Sequence, residues 1–197
     1  AIAWAVVPDR LLIVAWTLSA VAGLVLGLVI AFRRISNPAP IAAYAVVEGV
    51  FVGLISKYYE TAYSGIVLQA VIATFGVFFL MSMLYRARVI RATPKFARGL
   101  IACLIGAVAL MAINLLLSVF GINTHLRDGS WLAIVFSLAM IVLASLTFIL
   151  DFNEVEQGVK NGLPQRYAWV CAFGMLVGLI WLYLEILRLL GYLRGND

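Results

Sequence analysis

The chain has 197 residues, of which 65% are hydrophobic and only 12% charged, against about 45–50% apolar and about 25% charged in a soluble domain. Fourteen basic and nine acidic residues leave a net charge of +5, and the mean hydropathy is +1.09. These values exclude a water-soluble fold, and with it a secreted disulfide scaffold, a nucleic-acid-binding module and a solution enzyme with a loop-borne site.

Residues 1–7 form an apolar fragment that ends at Pro8, Asp9 and Arg10, with no initiator methionine. The fragment reads as the tail of a truncated earlier helix; a short mature N-terminus left by signal cleavage is the alternative. Six stretches then reach the roughly 20 apolar residues needed to cross a hydrocarbon core of about 30 Å. They cover residues 11–32, 40–56, 62–85, 99–120, 131–150 and 167–187. The second is short, but Lys57 can snorkel and Tyr58 and Tyr59 suit the interface. The runs are continuous, without the ten-residue alternation of a membrane barrel. The expected fold is all-α, a polytopic membrane helix bundle with six full spans plus the end of a seventh, N-terminal one. Residues 1–197 are expected to make a single transmembrane domain, one that lacks its first helix.

The connectors collect the charge. Arg33, Arg34, Arg86, Arg88, Arg91, Lys95, Arg98, Lys160 and Arg166 fall on one face, nine in all, against five on the other: Arg10, Lys57, Arg127, Arg188 and Arg194. Cytoplasmic loops carry the excess of Lys and Arg, so the 86–98 loop is expected in the cytoplasm and the C-terminus outside. That loop reads first as a topology signal and second as a contact for anionic lipid heads.

Gly23 and Gly27, Gly49 and Gly53, and Gly174 and Gly178 have the small-xxx-small spacing that lets helices approach closely. Cys103 and Cys171 lie inside spans as small apolar fillers. Chemistry is sought at the ionisable groups placed in the bilayer, because each is costly there. Glu48 lies eight residues past Pro40, about 12 Å along a helix and near the middle of its span. Asp151 ends the fifth apolar run, in a helix expected to continue to Gly158, and so lies roughly 10 Å inside that end. Glu185 sits in an otherwise apolar segment, three residues before Arg188. Asn114 is a polar residue in the middle of the fourth span, and Arg33 and Arg34 follow the first.

Each has a plainer reading: an interfacial charge for Asp151, a helical ion pair with Arg188 for Glu185, interhelical hydrogen bonding for Asn114. Glu48 has no such alternative. Hydrolysis is poorly served. The only histidine, His125, falls in an outer loop, so no His-rich zinc site can form, and only Ser118 or Ser130 could approach it for a dyad. A two-carboxylate protease would need Asp151 about 3 Å from a second acid, which no spacing demonstrates.

The run from Asp151 through Phe-Asn-Glu-Val-Glu-Gln-Gly-Val-Lys-Asn-Gly-Leu to Pro164, with Tyr167-Ala-Trp and Trp181-Leu-Tyr-Leu-Glu-Ile-Leu-Arg, resembles the bacterial branch of the Bax inhibitor-1 superfamily. This is also called the YccA-like or transmembrane Bax inhibitor motif family. Residues 44–53, with Glu48 and Gly49, and residues 90–96, with Thr93, Pro94, Lys95 and Phe96, agree with it. The resemblance covers essentially the whole chain and implies seven helices, of which this chain holds the last six and the end of the first. It also implies a pH-sensitive calcium leak in which two carboxylates share protons and an arginine latches onto them. By position, Asp151 matches the first acid, Glu185 the second and Arg33 the arginine, so Asp151 and Glu185 become the expected calcium ligands.

Asp151 and Glu185 are 34 residues apart, longer than the family's spacing. In a plain hairpin turning near Asn161, they would stand about 21 Å apart in height. Either the connector holds an interfacial segment around residues 164–169, or Glu185 is not the partner and Glu48 takes its place. The expected function is a protonation-gated calcium leak rather than an enzyme, with Asp151 as sensor, Glu185 or Glu48 as partner and Arg33 as latch. Its partners are the bilayer and calcium, with no cofactor and no nucleic acid. The alternative is a scaffold or regulator that binds a membrane protease or another helix bundle through its glycine faces.

Overall fold

Helix ends are set by side chains that satisfy the backbone groups a helix leaves open. The computed structural model describes residues 12–33, 35–120 and 129–195, which form six α-helices. They are α1 (Leu12–Arg33), α2 (Pro38–Ala62), α3 (Ile66–Arg86), α4 (Pro94–Val119), α5 (Trp131–Lys160) and α6 (Tyr167–Gly195). All six contain a window long and apolar enough to cross a membrane, and no strand occurs among the described residues. The protein is thus a polytopic helical bundle, an integral multi-pass membrane protein. The expected helix remnant at residues 1–7, together with Arg10, Arg34, His125 and Arg127, lies outside the described residues.

Several helices are longer than their apolar runs. Asn37 caps α2 by accepting from the Ala39 N–H at 3.1 Å, with Pro38 in the first turn, where an N–H has no partner anyway. At its other end α2 continues through Lys57 and Glu60 to Ala62. The Glu60 carboxylate accepts from the Gly65 and Val67 N–H groups at 2.6 and 3.0 Å, tying α2 to the start of α3. Thr93 caps α4 by accepting from Phe96 N–H at 3.2 Å, so Pro94, Lys95 and Arg98 belong to a helix rather than to the basic loop. Ser130, weighed above as a partner for His125, caps α5. Apolar counting stops at the first charge, whereas a helix continues until its backbone is capped.

α5 and α6 form an antiparallel hairpin, the most extensive helix pair. Its connector is a tight turn in which the Tyr167 N–H donates to Pro164 C=O at 2.8 Å, with no interfacial segment inserted. α3 packs on both helices, with Phe78 meeting Phe148 and Phe152 at ring separations of 5.2 and 5.5 Å. Among the described residues α2 lies along α6, α1 packs chiefly on α2 while its Ile30 joins Phe173 of α6 in one buried cluster, and α4 packs chiefly on α5. Phe148, Ile149, Leu182 and Leu187 are fully buried at the centre, while Phe79, Leu110 and Leu116 face outward, as lipid contact allows.

With lipid as apolar as the core, close packing must hold the helices together. Gly23 and Gly27 of α1 receive Glu48 and Tyr44 of α2, and Gly174 and Gly178 of α6 receive Asp151 and Phe148 of α5. A further pair, Gly191 and Gly195, receives Tyr59 of α2 and Tyr63 just past its end. Gly49 does not serve in this way: it is exposed, and nothing lies within 4 Å of where its side chain would be. It follows Glu48 by one residue, which turns it about 100° off the face that packs on α1.

Candidate functional site

Asp151 lies nine residues before the end of α5, about 14 Å along the axis. It is half-buried and points at α6. A methyl group placed on Gly174 would lie 3.3 Å from its Oδ1, and one on Gly178 3.7 Å from its Oδ2. The absence of side chains at these two positions makes the seat for the carboxylate. Among the described residues no hydrogen bond or ion pair reaches it; the titratable groups around it are Glu154 on its own helix and Cys171 on α6.

Glu48 occupies a similar seat. It is half-buried in the middle of α2, against Gly23 of α1, and the Tyr44 hydroxyl one turn earlier donates to its carboxylate. The Tyr44 ring also meets Phe173 of α6, edge to face at 5.0 Å. α2 and α6 run parallel, since Tyr44 meets Phe173 and Ser56 bonds Tyr183 further along. Glu48, between Tyr44 and Ser56, is therefore level with residues 174–178 of α6, the depth of Asp151. The Tyr44–Phe173 pair stands on the α2 side of α6, and Asp151 on the α5 side.

Glu185 is elsewhere. Its carboxylate pairs with the Arg188 guanidinium at 2.6 Å, and the Ser137 hydroxyl of α5 donates to it at 3.3 Å. Ser137 and Asp151 are 14 residues apart on α5, so the two acids differ in height by about 21 Å. The structure does not bring Asp151 and Glu185 together as a calcium pair, and no group of three or more metal-binding side chains occurs among the described residues.

Arg33 ends α1 and is exposed, with no ion pair among the described residues. It is ten residues past Gly23, about 15 Å from the level of Glu48. Asn114 is half-buried on the peripheral α4 and already engaged in an interaction. Cys171 is buried and Cys103 exposed, both as free thiols. Two contributors were not foreseen in the sequence. Tyr44 had a readable signal, its i,i+4 spacing to Glu48 on one helix face; Ser137 had none, because its partner is on another helix.

The arrangement is a multi-pass bundle with two carboxylates at a common depth, Asp151 packed against the glycines of α6 and Glu48 against Gly23 of α1. Among curated proteins, none matches the chain. The family model described as Bax inhibitor 1 like matches residues 1–195. The chain belongs to the Bax inhibitor 1 like family.

Proposed function

We propose that the protein is a non-enzymatic cation leak gated by protonation of Asp151, with calcium as the ion it admits. The observation that carries this reading is the Asp151 carboxylate seated between α5 and the glycines of α6, with neither hydrogen bond nor ion pair among the described residues. A protonated acid leaves this interface neutral and closed. An ionised one calls for a cation or for water, and hard cations such as calcium take oxygen ligands. Of the two partner acids, Glu48 is the one at the same depth, and Glu185 is matched by Arg188. In this arrangement Arg33 and Asp151 are apart, so a latch between them belongs to a second arrangement. There α1, which packs chiefly on α2, moves toward the α5–α6 hairpin. By the excess of positive charge, the face with the 87–93 and 161–166 turns is cytoplasmic, in a bacterial plasma membrane, and the C-terminus is outside.

Flux of calcium into liposomes carrying the purified protein tests the reading. Uptake is expected to change between about pH 5 and pH 8, with Asp151→Asn flattening the response. Absence of flux at every pH, or an unaltered pH response in Asp151→Asn, rejects it. A stoichiometric membrane-protein partner retained on purification would then favour the scaffold reading.

A further inference from the structure

α3 and α5 end side by side on the basic face with the same hydrogen-bond pattern. In α5 the Gly162 N–H donates to Val159 C=O and the Leu163 N–H to Gly158 C=O, at 3.1 and 3.0 Å. In α3 the Arg88 N–H donates to Tyr85 C=O and the Val89 N–H to Leu84 C=O, at 3.0 and 3.1 Å. This motif puts one residue in the left-handed region, where glycine is preferred because a side chain is strained. α5 uses Gly162 there, at φ +63°; α3 uses Arg88, at φ +56°. Among the described residues Arg88 is the sole non-glycine residue with positive φ.

The strained arginine borders a cleft of about 440 Å³ between the ends of the two helices. Arg86, Arg88, Arg91 and Lys160 line it, against a single carboxylate, Glu156. That carboxylate is already engaged: Lys160 pairs with it at 2.5 Å, and the Tyr85 hydroxyl donates to it. Asn153 and Gln157 add amide groups from α5. Arg86 and Lys160 stand in last helical turns, where a cation complements the helix dipole. Arg88 and Arg91 lie beyond the helix, and among the described residues their guanidinium groups make no hydrogen bond or ion pair. A topology signal needs only charge in the loop. It requires neither convergence on one cleft nor an arginine held where glycine fits better.

We infer that this cleft binds a phosphate group, presented by an anionic lipid head or by a free phosphate compound, with Arg88 and Arg91 as its principal donors. Guanidinium forks match phosphate oxygens in pairs and hold them more specifically than a point charge does.

Two arms test this on the full chain at about 150 mM salt, where loose surface attraction is screened. One titrates the protein in neutral detergent with pyrophosphate. The other measures retention of phosphatidylglycerol by native mass spectrometry, after release from phosphatidylcholine nanodiscs doped with that lipid. Binding is expected in at least one arm; the lipid arm alone assigns a headgroup, and the pyrophosphate arm assigns a free phosphate compound. Arg91→Gln and Arg88→Gly should each weaken it about tenfold or more. Arg88→Gly should do so without lowering the unfolding temperature, because glycine suits that backbone better. Arg98→Gln is the control: Arg98 is on the same face, outside the cleft, with its Nε–H donating to Pro94 C=O at 3.2 Å. No binding in either arm overturns the proposal. So does an Arg98→Gln loss equal to that of Arg91→Gln, or an Arg88→Gly variant that binds as tightly as the native chain.

Discussion

Glu185 and Asp151 occupy the same helical hairpin in opposite circumstances. With 3% of its side chain exposed, Glu185 faces the Arg188 guanidinium at 2.6 Å and accepts from Ser137. Asp151 rests against two glycines of α6 and, among the described residues, has neither kind of partner. One buried charge is neutralised where it stands, and its removal should be felt by the fold. The other is accommodated by space rather than by a counter-charge, and its titration should be felt by the function. Proximity in sequence to an apolar run does not separate the two; what the carboxylate touches does.

The contrast can be broken most forcefully at Arg188. Arg188→Ala leaves Glu185 buried without its cation, which should cost about 3–5 kcal/mol, read from denaturant unfolding in detergent micelles. Adding Glu185→Gln should recover most of the loss. If Arg188→Ala alone proves nearly neutral, Glu185 does not depend on the pair. The glycine seats come next. A methyl on Gly191 would lie 2.6 Å from Tyr59 Cε1, so Gly191→Ala should cost about 1–3 kcal/mol of overpacking. Gly49→Ala meets open space and should be neutral or stabilising by up to about 1 kcal/mol from helix propensity. Equal effects at the two sites would show that helix approach is not what these glycines serve.

A smaller loss is expected at the buried bond between the Ser56 and Tyr183 hydroxyls, 2.6 Å long and joining α2 to α6. Tyr183→Phe should cost about 0.6 kcal/mol and not exceed about 1.7, the span of interhelical bonds in membranes. The least change in stability is expected from Asp151→Asn, under about 1 kcal/mol, because no partner is lost. That variant should nevertheless flatten the pH response of calcium flux, whereas Glu185→Gln should lower stability and keep the response. A reversal of these two phenotypes would exchange the roles of the acids.

The six spans were legible because they depend on a quantity local in sequence, the length of an apolar run. Helix ends were less so. Asn37, Thr93 and Ser130 extend or fix helices through backbone hydrogen bonds, and hydropathy does not register a cap. Gly191 and Gly195, near the chain end, have the same spacing as the three other glycine pairs and do receive side chains, while Gly49 has the spacing and no neighbour. Spacing marks a face on which approach is possible, and only a second helix makes it a contact.

The sequence by itself determined that this is a membrane bundle, which few acids could lie at depth, and that a plain hairpin would hold Asp151 and Glu185 about 21 Å apart. These follow from the cost of charge in hydrocarbon and from the fixed rise of a helix. Tertiary structure decided which acids share a level, since Glu48 and Asp151 are placed by how α2 and α5 flank α6, and it gave Glu185 its cross-helix partner, Ser137. The physical reason is that a helix fixes distances along its own axis and leaves its rotation and register against its neighbours to packing.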